Sequence, residues 1–441
     1  MASWRLYVVL CALFGLLMPM AGAAQGDHAR SQTHSNDQRP AIRAALSSVG
    51  DYVANVLVTP SGKGRADYDL MSGRWLEYEP HWHTGQQIWG LTEAWRVTGD
   101  RRFLQAARRA GRWWTGTEFK SPHPLAGLVN AYHGDHIGPL INFTTISDGT
   151  PGLFALSRAT GDAHFADTAS RSGQWLWDNT QVPASVTGGE GLFYNFIDPA
   201  TAQVVKSYSP THKGVANPKI TQTARPNIEG SLFKDMCLHT RQQIWCDRFI
   251  AQARAALARQ DAQGLWMDFE PNNPDTGDVH PRFNLWNAEA LLEAYALTND
   301  RAFLEGATRT ASFMARVQRP DGAIYYNLKA DGTFRRDSIT GSATAFSGII
   351  WLRLRDYGVV GFDTSIERSL AWILANRFPL NLPDANLRGA VLETRVRVVD
   401  GATRIAIRDI ASAFSLRFLA MMHDDLSGRD VNALKIYGVR P

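Results

Sequence analysis

Hydrophobic residues recur at helical spacing along most of the chain, in pairs of segments separated by very short turns. In residues 91–114, LTEAWRVTGDRRFLQAARRAGRWW, the apolar positions fall on one face of each of two consecutive helices. Gly99 and Asp100 stand between them. Glycine suits the left-handed end of one helix, and aspartate suits the cap of the next. The stretch therefore predicts a helical hairpin.

The same unit returns later in the chain. Residues 153–177 and 291–314 repeat the pattern, and residues 231–257 form a weaker copy without the turn. Recurring helical hairpins are the signature of a repeat architecture, so we expect an all-α fold built from six hairpins. The twelve helices are expected near 42–57, 83–97, 101–115, 149–160, 163–178, 228–239, 244–259, 285–298, 301–317, 340–356, 364–376 and 409–423.

The connections between these helices fall into two classes. Those that follow the helices beginning near 83, 149, 228, 285 and 340 are short. The others are long and hold most of the Gly, Pro, His and Asn residues. Long loops in compact domains usually carry function, and these would all emerge at one end of the molecule. The amino ends of six inner helices would converge there, which suits a polyhydroxylated or anionic ligand.

The starts of the inner helices are unusually rich in polar and aromatic side chains. We assign two carboxyl groups, Asp148 and Glu229, to catalysis. For any one aspartate or asparagine there, such as Asp148, a simple helix cap is the competing explanation. The predicted substrate-binding residues are His81, Trp82, His83, Asn227, His280, Arg282, Asn284, Trp286, Glu289, Tyr326, Arg388 and Arg408.

The arrangement resembles the six-hairpin glycosidase-like proteins, whose fold is an (α/α)6 toroid with its site at such a funnel. Within that group it looks most like the unsaturated glucuronyl hydrolases. These carry an aspartate before one inner helix and a second acid at the start of the next. Asp148 in ISDGTPGLFALSRATGD matches the first position, and Glu229 in PNIEGSLF occupies the second as a different residue type.

A glycosidase needs two carboxyl groups that flank the scissile bond, one of them kept protonated. Asp148 and Glu229 fit this role, and arginines of the funnel end (Arg282, Arg388, Arg395, Arg408) suit a uronic-acid substrate. One alternative is a polysaccharide lyase or uronate C5-epimerase that abstracts a proton with His280, Arg282, Asn284 and Tyr326. A second alternative is a non-catalytic glycan-binding toroid.

The remaining features concern export and cofactors. Residues 1–24 combine an early arginine, an apolar run and a small-residue end, which predicts a signal peptide cleaved near Ala23 or Ala24 and a secreted or periplasmic protein. Residues 25–40 are expected to form a disordered leader, and residues 41–441 the toroid. Cys237 and Cys246 either pair or remain buried thiols, and they lack zinc-ligand spacing, so no metal or cofactor is expected. The net charge of +4 gives no argument for nucleic acid, and no segment after the signal peptide predicts a membrane span.

Overall fold

The computed structural model describes residues 37–134, 137–206, 218–399 and 401–432. All twelve expected helices are present, and a four-residue helix is added. Their bounds are α1 Arg39–Tyr52, α2 Pro80–Thr98, α3 Arg101–Thr115, α4 Phe143–Thr160, α5 Ala163–Thr180, α6 Ile220–Thr223, α7 Leu232–Thr240, α8 Gln243–Leu257, α9 Pro281–Thr298, α10 Arg301–Val317, α11 Gly341–Asp356, α12 Asp363–Ala375 and α13 Ile410–Leu426. A π-helical turn extends α1, and a 3₁₀ turn, Glu229–Ser231, precedes α7.

The inner layer is a closed ring of six helices. Helix α2 contacts α4 and α13, α11 contacts α13 and α9, and the 3₁₀ turn before α7 contacts both α4 and α9. Inner helices are buried on every face: in α4, every residue from Phe143 to Ser157 is buried. The outer helices bury only one stripe, as amphipathic helices do. This confirms the predicted (α/α)6 toroid.

The short turns have the predicted geometry. Gly99 and Gly161 adopt positive φ values of 76° and 71°, and Asn299 adopts 56° at the equivalent position. The following aspartate caps the next helix, as when Asp100 accepts a hydrogen bond from the Arg102 amide at 2.9 Å. Each hairpin is therefore set by local sequence.

Two glycines bring α2 and α4 into backbone contact. A Cβ atom added at Gly152 would lie 2.1 Å from the carbonyl oxygen of Gly85. No larger side chain fits at this crossing, so the two helices pack closely. The close approach places the first turns of α2 and α4 side by side at the loop-rich end.

The loops also form small sheets, which the hydrophobic pattern did not predict. The strands are β1 Asp67–Asp69, β2 Arg74–Trp75, β3 Tyr132–Gly134, β4 Gly138–Asn142, β5 Phe193–Tyr194, β6 Phe196–Asp198, β7 Gln203–Val204, β8 Ala224–Arg225, β9 Asp278–Val279, β10 Leu328–Lys329, β11 Thr394–Val399 and β12 Ala402–Arg408. Two sheets have four strands, in the orders β11-β12-β1-β2 and β3-β4-β6-β7. Most strands are too short to show a period of two.

Three further expectations concern the covalent framework and the amino-terminal segment. Cys237 and Cys246 are joined by a disulfide, with their Cα atoms 5.2 Å apart. The expected signal peptide and residues 25–36 of the leader lie outside the described residues; α1 begins at Arg39, so the last two residues of the expected leader are helical. Among the described helices, none combines the length and apolar character needed to cross a bilayer.

Candidate functional site

A cavity of about 460 Å³ opens where the amino ends of the inner helices meet the long loops. The inner helices contribute aromatic, basic and acidic groups, and the loops add amides and further acids. The lining residues on which the argument below depends are Tyr78, Glu79, Trp82, His133, Thr144, Thr145, Asp148, Asn195, Arg225, Glu229, Glu270, Asn272, His280, Arg282, Phe283, Trp286 and Tyr326. Seven of the residues nominated from sequence are among them, including both proposed catalytic acids.

Asp148 lies inside α4 and does not cap it. The helix begins at Phe143, six residues earlier than expected, and its cap is Asn142, whose side chain accepts from the Thr144 amide at 2.9 Å. The cap explanation for Asp148 is therefore wrong. One turn further on, Pro151 has no amide proton for the carbonyl of Ser147, which accepts from the Thr150 hydroxyl at 3.2 Å. Asp148 itself is buried and lines the cavity.

Glu229 reaches the same cavity from the 3₁₀ turn before α7. Gly230, next to it, has a φ of 73°, and a Cβ atom there would lie 1.9 Å from the carbonyl oxygen of Ser147. Only glycine permits this contact. The backbones that carry Glu229 and Asp148 therefore touch, which fixes the two carboxyl groups on adjacent walls.

Three of the four carboxyl oxygens of this buried pair lack a hydrogen-bond partner in the described part of the chain. Among the described residues, Asp148 Oδ1 and both carboxyl oxygens of Glu229 lack one. Burial raises the pKa of Asp148 well above its ordinary value, and the nearby Glu229 carboxyl raises it further. Burial also raises the pKa of Glu229, although Arg225, whose Nε lies 3.7 Å from Glu229 Oε1, opposes that rise. Such a pair favours one shared proton.

Arg225 is a fixed cation beside this pair. Its Nε donates to Asn227 Oδ1 at 3.1 Å, its Nη1 to the Glu270 carbonyl at 2.6 Å and its Nη2 to Thr144 Oγ1 at 2.6 Å. All three guanidinium nitrogens are thereby used. Arg225 therefore stabilises negative charge on Glu229 and is not positioned to swing toward a ligand.

Arg282 forms the opposite wall. Its Nη1 donates to Ser342 Oγ at 2.8 Å and pairs with Glu393 at 2.9 Å. The guanidinium carbon lies 5.6 Å from the Trp82 ring centre and 5.8 Å from that of Tyr326. The group is anchored through one nitrogen and lies near two aromatic rings, which stabilise its positive charge, so its other edge is suited to bind a planar anion such as a carboxylate.

His280 caps α9 and is held neutral. Its Nδ1 accepts the Phe283 amide at 3.1 Å. Burial, together with Arg282 and other nearby arginines, holds the pKa of His280 well below its ordinary value. A neutral imidazole that accepts at Nδ1 carries its proton on Nε2. His280 therefore offers a donor to the cavity and is a poor base.

Glu79 is a third cavity acid, and sequence reasoning did not select it. It adopts a left-handed conformation with φ 39° just before α2. Its Oε1 lies 3.3 Å from His133 Nε2 and accepts from Thr145 Oγ1 at 3.4 Å. Burial alone would raise the pKa of Glu79, but His133, His83 and Arg408 hold it below its ordinary value. The sequence feature that could have pointed to Glu79 is its position in YEPHWH, two residues before His81, which was predicted to bind substrate.

Other missed residues came from stretches with a visible signal. Arg225 stands in ARPNIEG, four residues before Glu229. Asn195, Glu270 and Asn272 lie in long loops, where only the general enrichment in polar residues pointed to function. Whether these side chains reach the cavity depends on the course of the loops, which the sequence pattern does not predict.

Several nominated residues do not line the cavity. His81 stacks on Trp113 with ring centres 5.0 Å apart, and burial lowers its pKa to about 3. His83 is completely buried behind the wall, with Nδ1 2.7 Å from Asp409 Oδ1. Asn227 holds Arg225, and Asn284 accepts the Trp266 amide at 3.1 Å.

Three nominated charges are also held away from the cavity. Glu289 pairs with Arg417 at 2.9 Å, deeper in the ring. Arg408 is buried against Asp67 at 3.0 Å and lies behind the Tyr78 ring. Arg388 is exposed, and its Nε donates to the carbonyl of Leu382 at 2.6 Å. These three side chains are engaged in contacts within the protein, so their contacts do not support the substrate-binding role predicted for them.

One set of side chains has the geometry of a metal-ligand cluster. Ligand atoms of Asp67, His83 and Asp409 all lie within 4.8 Å of one another. Both aspartates, however, already have partners: Asp67 accepts from Arg408 at 3.0 Å and Asp409 from Gln87 at 2.9 Å. The arginine supplies the positive charge that a cation would bring. The cluster lies behind Tyr78, whose ring centre is 5.9 Å from that of His83.

Comparisons with known proteins bear on the fold. No protein-family model matches the chain. No curated protein sequence matches it either. Among solved structures, it is similar to an unsaturated glucuronyl hydrolase specific for heparin, with a TM-score of 0.62, 11% identity and coverage of 89% of this chain and 99% of that one.

Two further matches are of comparable strength. The cellobiose 2-epimerase from Bacillus thermoamylovorans B4167 has a TM-score of 0.67 and 13% identity over 89% of this chain and all 100% of that one. A D-mannose isomerase has a TM-score of 0.61 and 10% identity over 89% and 100%. The matched structures thus include a hydrolase, an epimerase and an isomerase, at identities that report architecture alone. The chain has the six-hairpin glycosidase-like (α/α)6 toroid fold.

Proposed function

We propose that this protein is a carbohydrate-active enzyme, a glycoside hydrolase that acts on uronic-acid-containing oligo- or polysaccharides. The observation that carries the proposal is the buried pair of Asp148 and Glu229, which lines one cavity and in which three of the four carboxyl oxygens lack hydrogen-bond partners among the described residues. Burying an unpartnered carboxyl group is costly for folding. A binding-only toroid has no need of this arrangement, so the pair disfavours that alternative.

The pKa values divide the two roles. Burial and Glu229 raise the pKa of Asp148 well above its ordinary value, so Asp148 carries the shared proton. Arg225 favours the ionised form of Glu229. Asp148 would donate its proton to the glycosidic oxygen as the C1–O bond breaks. The released alcohol would carry the proton from Asp148. Glu229 would either deprotonate a water molecule that attacks C1, or attack C1 itself to form a glycosyl ester. Water, deprotonated by Asp148, would then hydrolyse that ester and restore both carboxyl groups.

Arg282 is the group best placed to recognise a sugar carboxylate. Nη1 is engaged with Ser342 and Glu393, and a guanidinium has further donors directed along its other edge. Trp82, which flanks it, offers a face for a sugar ring. The proposal of a uronic-acid substrate therefore depends on Arg282, because Arg388 and Arg408 are engaged with protein groups outside the cavity.

Proton abstraction next to a carboxylate, by a lyase or an epimerase, is the competing reaction. It requires a base, and His280 accepts the Phe283 amide at Nδ1, which leaves Nε2 protonated. Tyr326, whose ring centre is 5.2 Å from that of His280, would have to take that role. The arrangement of the histidine therefore favours the hydrolase.

The test is incubation with uronic-acid polysaccharides and with the oligosaccharides that lyases release from them. Reducing ends and ultraviolet absorbance of unsaturated uronates would be followed together. We expect new reducing ends without new absorbance, or a loss of absorbance where the substrate carries an unsaturated uronate. New absorbance would identify a lyase, and a changed sugar configuration without cleavage would identify an epimerase.

We also propose that the protein is exported. The segment Met1 to Ala24 has the pattern of a signal peptide, and the Cys237–Cys246 disulfide suits an oxidising compartment. The mature chain would then begin near Ala24 or Gln25. Amino-terminal sequencing of the native protein tests this, and recovery of Met1 on the purified enzyme would refute it.

A further inference from the structure

An arginine-rich sheet face lies beside the cavity. In the sheet β11-β12-β1-β2, Arg395 stands opposite Ala406, which pairs in turn with Asp69. Alternate residues of a strand point to the same face, so the side chains that share this face form one set. That set, here called the arginine face, comprises Arg74, Arg395, Arg397, Arg404 and Arg408, with Asp67 and Asp69.

The other face of the sheet accounts for folding. Tyr68 and Ile407 form a buried cluster with Leu387, and Trp75 packs against it. The arginine face makes no comparable apolar contact among the described residues, and Arg404 keeps 45% of its side chain exposed. Folding therefore explains the apolar face and the buried Asp67–Arg408 pair of the other face, and it does not explain the exposed Arg74 and Arg404.

Two of these arginines face each other across the hairpin. Arg397 and Arg404 are directly opposite each other on β11 and β12. Like charges at opposed positions of an antiparallel pair are destabilising. Asp69 lies 3.3 Å from Arg404 and offsets part of this repulsion. Arg408 is buried against Asp67 and Glu393, so the side chains of this face that solvent reaches are Arg74, Arg395, Arg397 and Arg404. A face whose accessible charged groups are arginines suits an anionic ligand.

The arginine face is continuous with the cavity wall through Tyr78. The guanidinium carbons of Arg395, Arg408 and Arg397 lie 4.8, 5.5 and 5.9 Å from the centre of the Tyr78 ring. Tyr78 itself lines the cavity. A chain that leaves the cavity past Tyr78 would therefore meet Arg395 and Arg397 next, whereas Arg408 is buried.

We propose that the arginine face is a binding subsite for the anionic groups of a glycan chain whose end occupies the cavity. This rests on the proposed function for the cavity, and it adds that the enzyme binds a chain of several charged sugars. Carboxylates and sulfates share the chemistry that arginine recognises. Arg397 and Arg404 supply the outer contacts, and Arg395 lies between them and the cavity.

The experiment measures binding apart from turnover. Asp148→Asn serves as the parent, and calorimetry at low salt compares disaccharides with hexasaccharides of galacturonate, glucuronate and mannuronate. A heparin hexasaccharide distinguishes sulfate from carboxylate. We expect at least one anionic hexasaccharide to bind the parent about tenfold more tightly than its disaccharide, a gain of the size that two exposed charge contacts provide.

The double variant Arg397→Ala with Arg404→Ala should abolish that gain and leave the disaccharide affinity unchanged. Its melting temperature should stay close to that of the parent, because an exposed ion pair such as Arg404–Asp69 contributes little to stability. The matched control is Arg108→Ala with Arg301→Ala, two exposed arginines at the starts or faces of outer helices with the same change in charge. The control should retain the gain.

Several results would overturn the proposal. They are a parent without any preference for hexasaccharides, a gain that survives the double substitution, an equal loss in the control, or equal binding of a carboxyl-reduced hexasaccharide. Tighter binding of duplex DNA than of any hexasaccharide, lost in the double variant, would show that the ligand of this face is nucleic acid and that the glycan proposal is wrong. Wild-type turnover separates the two proposals, since chain-length-dependent binding without cleavage would refute only the hydrolase.

Discussion

Two groups of buried acids lie on the inner helices and differ in their partners. Asp148 and Glu229, at the loop-rich end, lack hydrogen-bond partners among the described residues for three of their four carboxyl oxygens. Deeper in the ring, Glu293 pairs with Arg353 at 2.8 Å and with Lys234 at 3.1 Å. Burial is similar in both places, so burial alone does not distinguish a reactive acid from a structural one.

The partners decide the direction in which each pKa moves. Burial would raise the pKa of Glu293, but Arg353 and Lys234 hold it below its ordinary value. At Asp148 burial raises the pKa, and Glu229 adds to that rise. An acid held ionised by fixed cations stabilises structure, whereas one forced to keep a proton is suited to give it away. The comparison leads to four predictions.

The largest effect is expected from Glu293→Gln. It removes the negative charge between Arg353 and Lys234 and should lower the free energy of unfolding by about 3 kcal/mol, as expected when a buried ion pair loses one partner. Chemical denaturation measures this, and turnover per folded molecule should stay unchanged. Glu93→Gln is the matched control, because Glu93 also pairs with Arg96 at 2.7 Å but is 17% exposed. Its cost should stay below about 1 kcal/mol.

Asp148→Asn should reverse this pattern. Loss of the titrating proton should reduce kcat by at least ~100-fold, equivalent to ~2.7 kcal/mol, while the amide keeps the shape of the side chain. Stability should not fall, because a desolvated carboxyl is removed. Glu229→Gln should behave alike. Full activity in both variants would move the reaction to the set of His280 and Tyr326, whereas unfolding of Asp148→Asn would make that residue structural.

The pH dependence of stability should have opposite signs in the two regions. Asp148, with its raised folded pKa, binds more protons when folded, so its contribution falls as pH rises above about 4. Glu293, with its lowered folded pKa, contributes stability above about 4 that is lost as pH falls through its folded value. The advantage of Asp148→Asn over wild type should therefore grow from pH 4 to 8. Unfolding curves at several pH values measure the difference in stability between Asp148→Asn and wild type. A difference that does not change with pH would refute the raised pKa of Asp148.

Arg225→Gln should have the smallest effect, a displacement of the pH profile. Arg225 lowers the pKa of both carboxyl groups, so its removal should move both limbs of the kcat/KM profile to higher pH. Arg225→Lys keeps the charge and should leave the profile close to wild type. An equal displacement in both variants would assign Arg225 to positioning through Thr144 and the Glu270 carbonyl, without an electrostatic role.

The sequence predicted the helices better than it predicted the arginine face. Thr394–Val399 and Ala402–Arg408 alternate arginine with aliphatic residues around an Asp-Gly pair, which is a strong hairpin signal. The dominance of helical patterns elsewhere obscured it. The partner strand β1 is more than 300 residues away along the chain, so only the folded molecule shows that the arginines lie beside the cavity.

What the sequence determined by itself is local. Helical spacing predicted the twelve long helices, and Gly99-Asp100 and its repeats predicted the turns, because both depend on residues a few positions apart. It also placed Asp148 and Glu229 among the candidates, because both stand at the predicted starts of successive inner helices.

The tertiary structure decided which of the polar residues became a site. Glu289 meets Arg417, 128 residues away along the chain, and Arg225 meets Thr144 across 81 residues, whereas the largest charge effect on Asp148 comes from another acid, Glu229. Whether a buried charge is neutralised or left reactive depends on what the other hairpins bring within a few ångströms. That distance is set by packing of the ring and is not encoded in any local pattern.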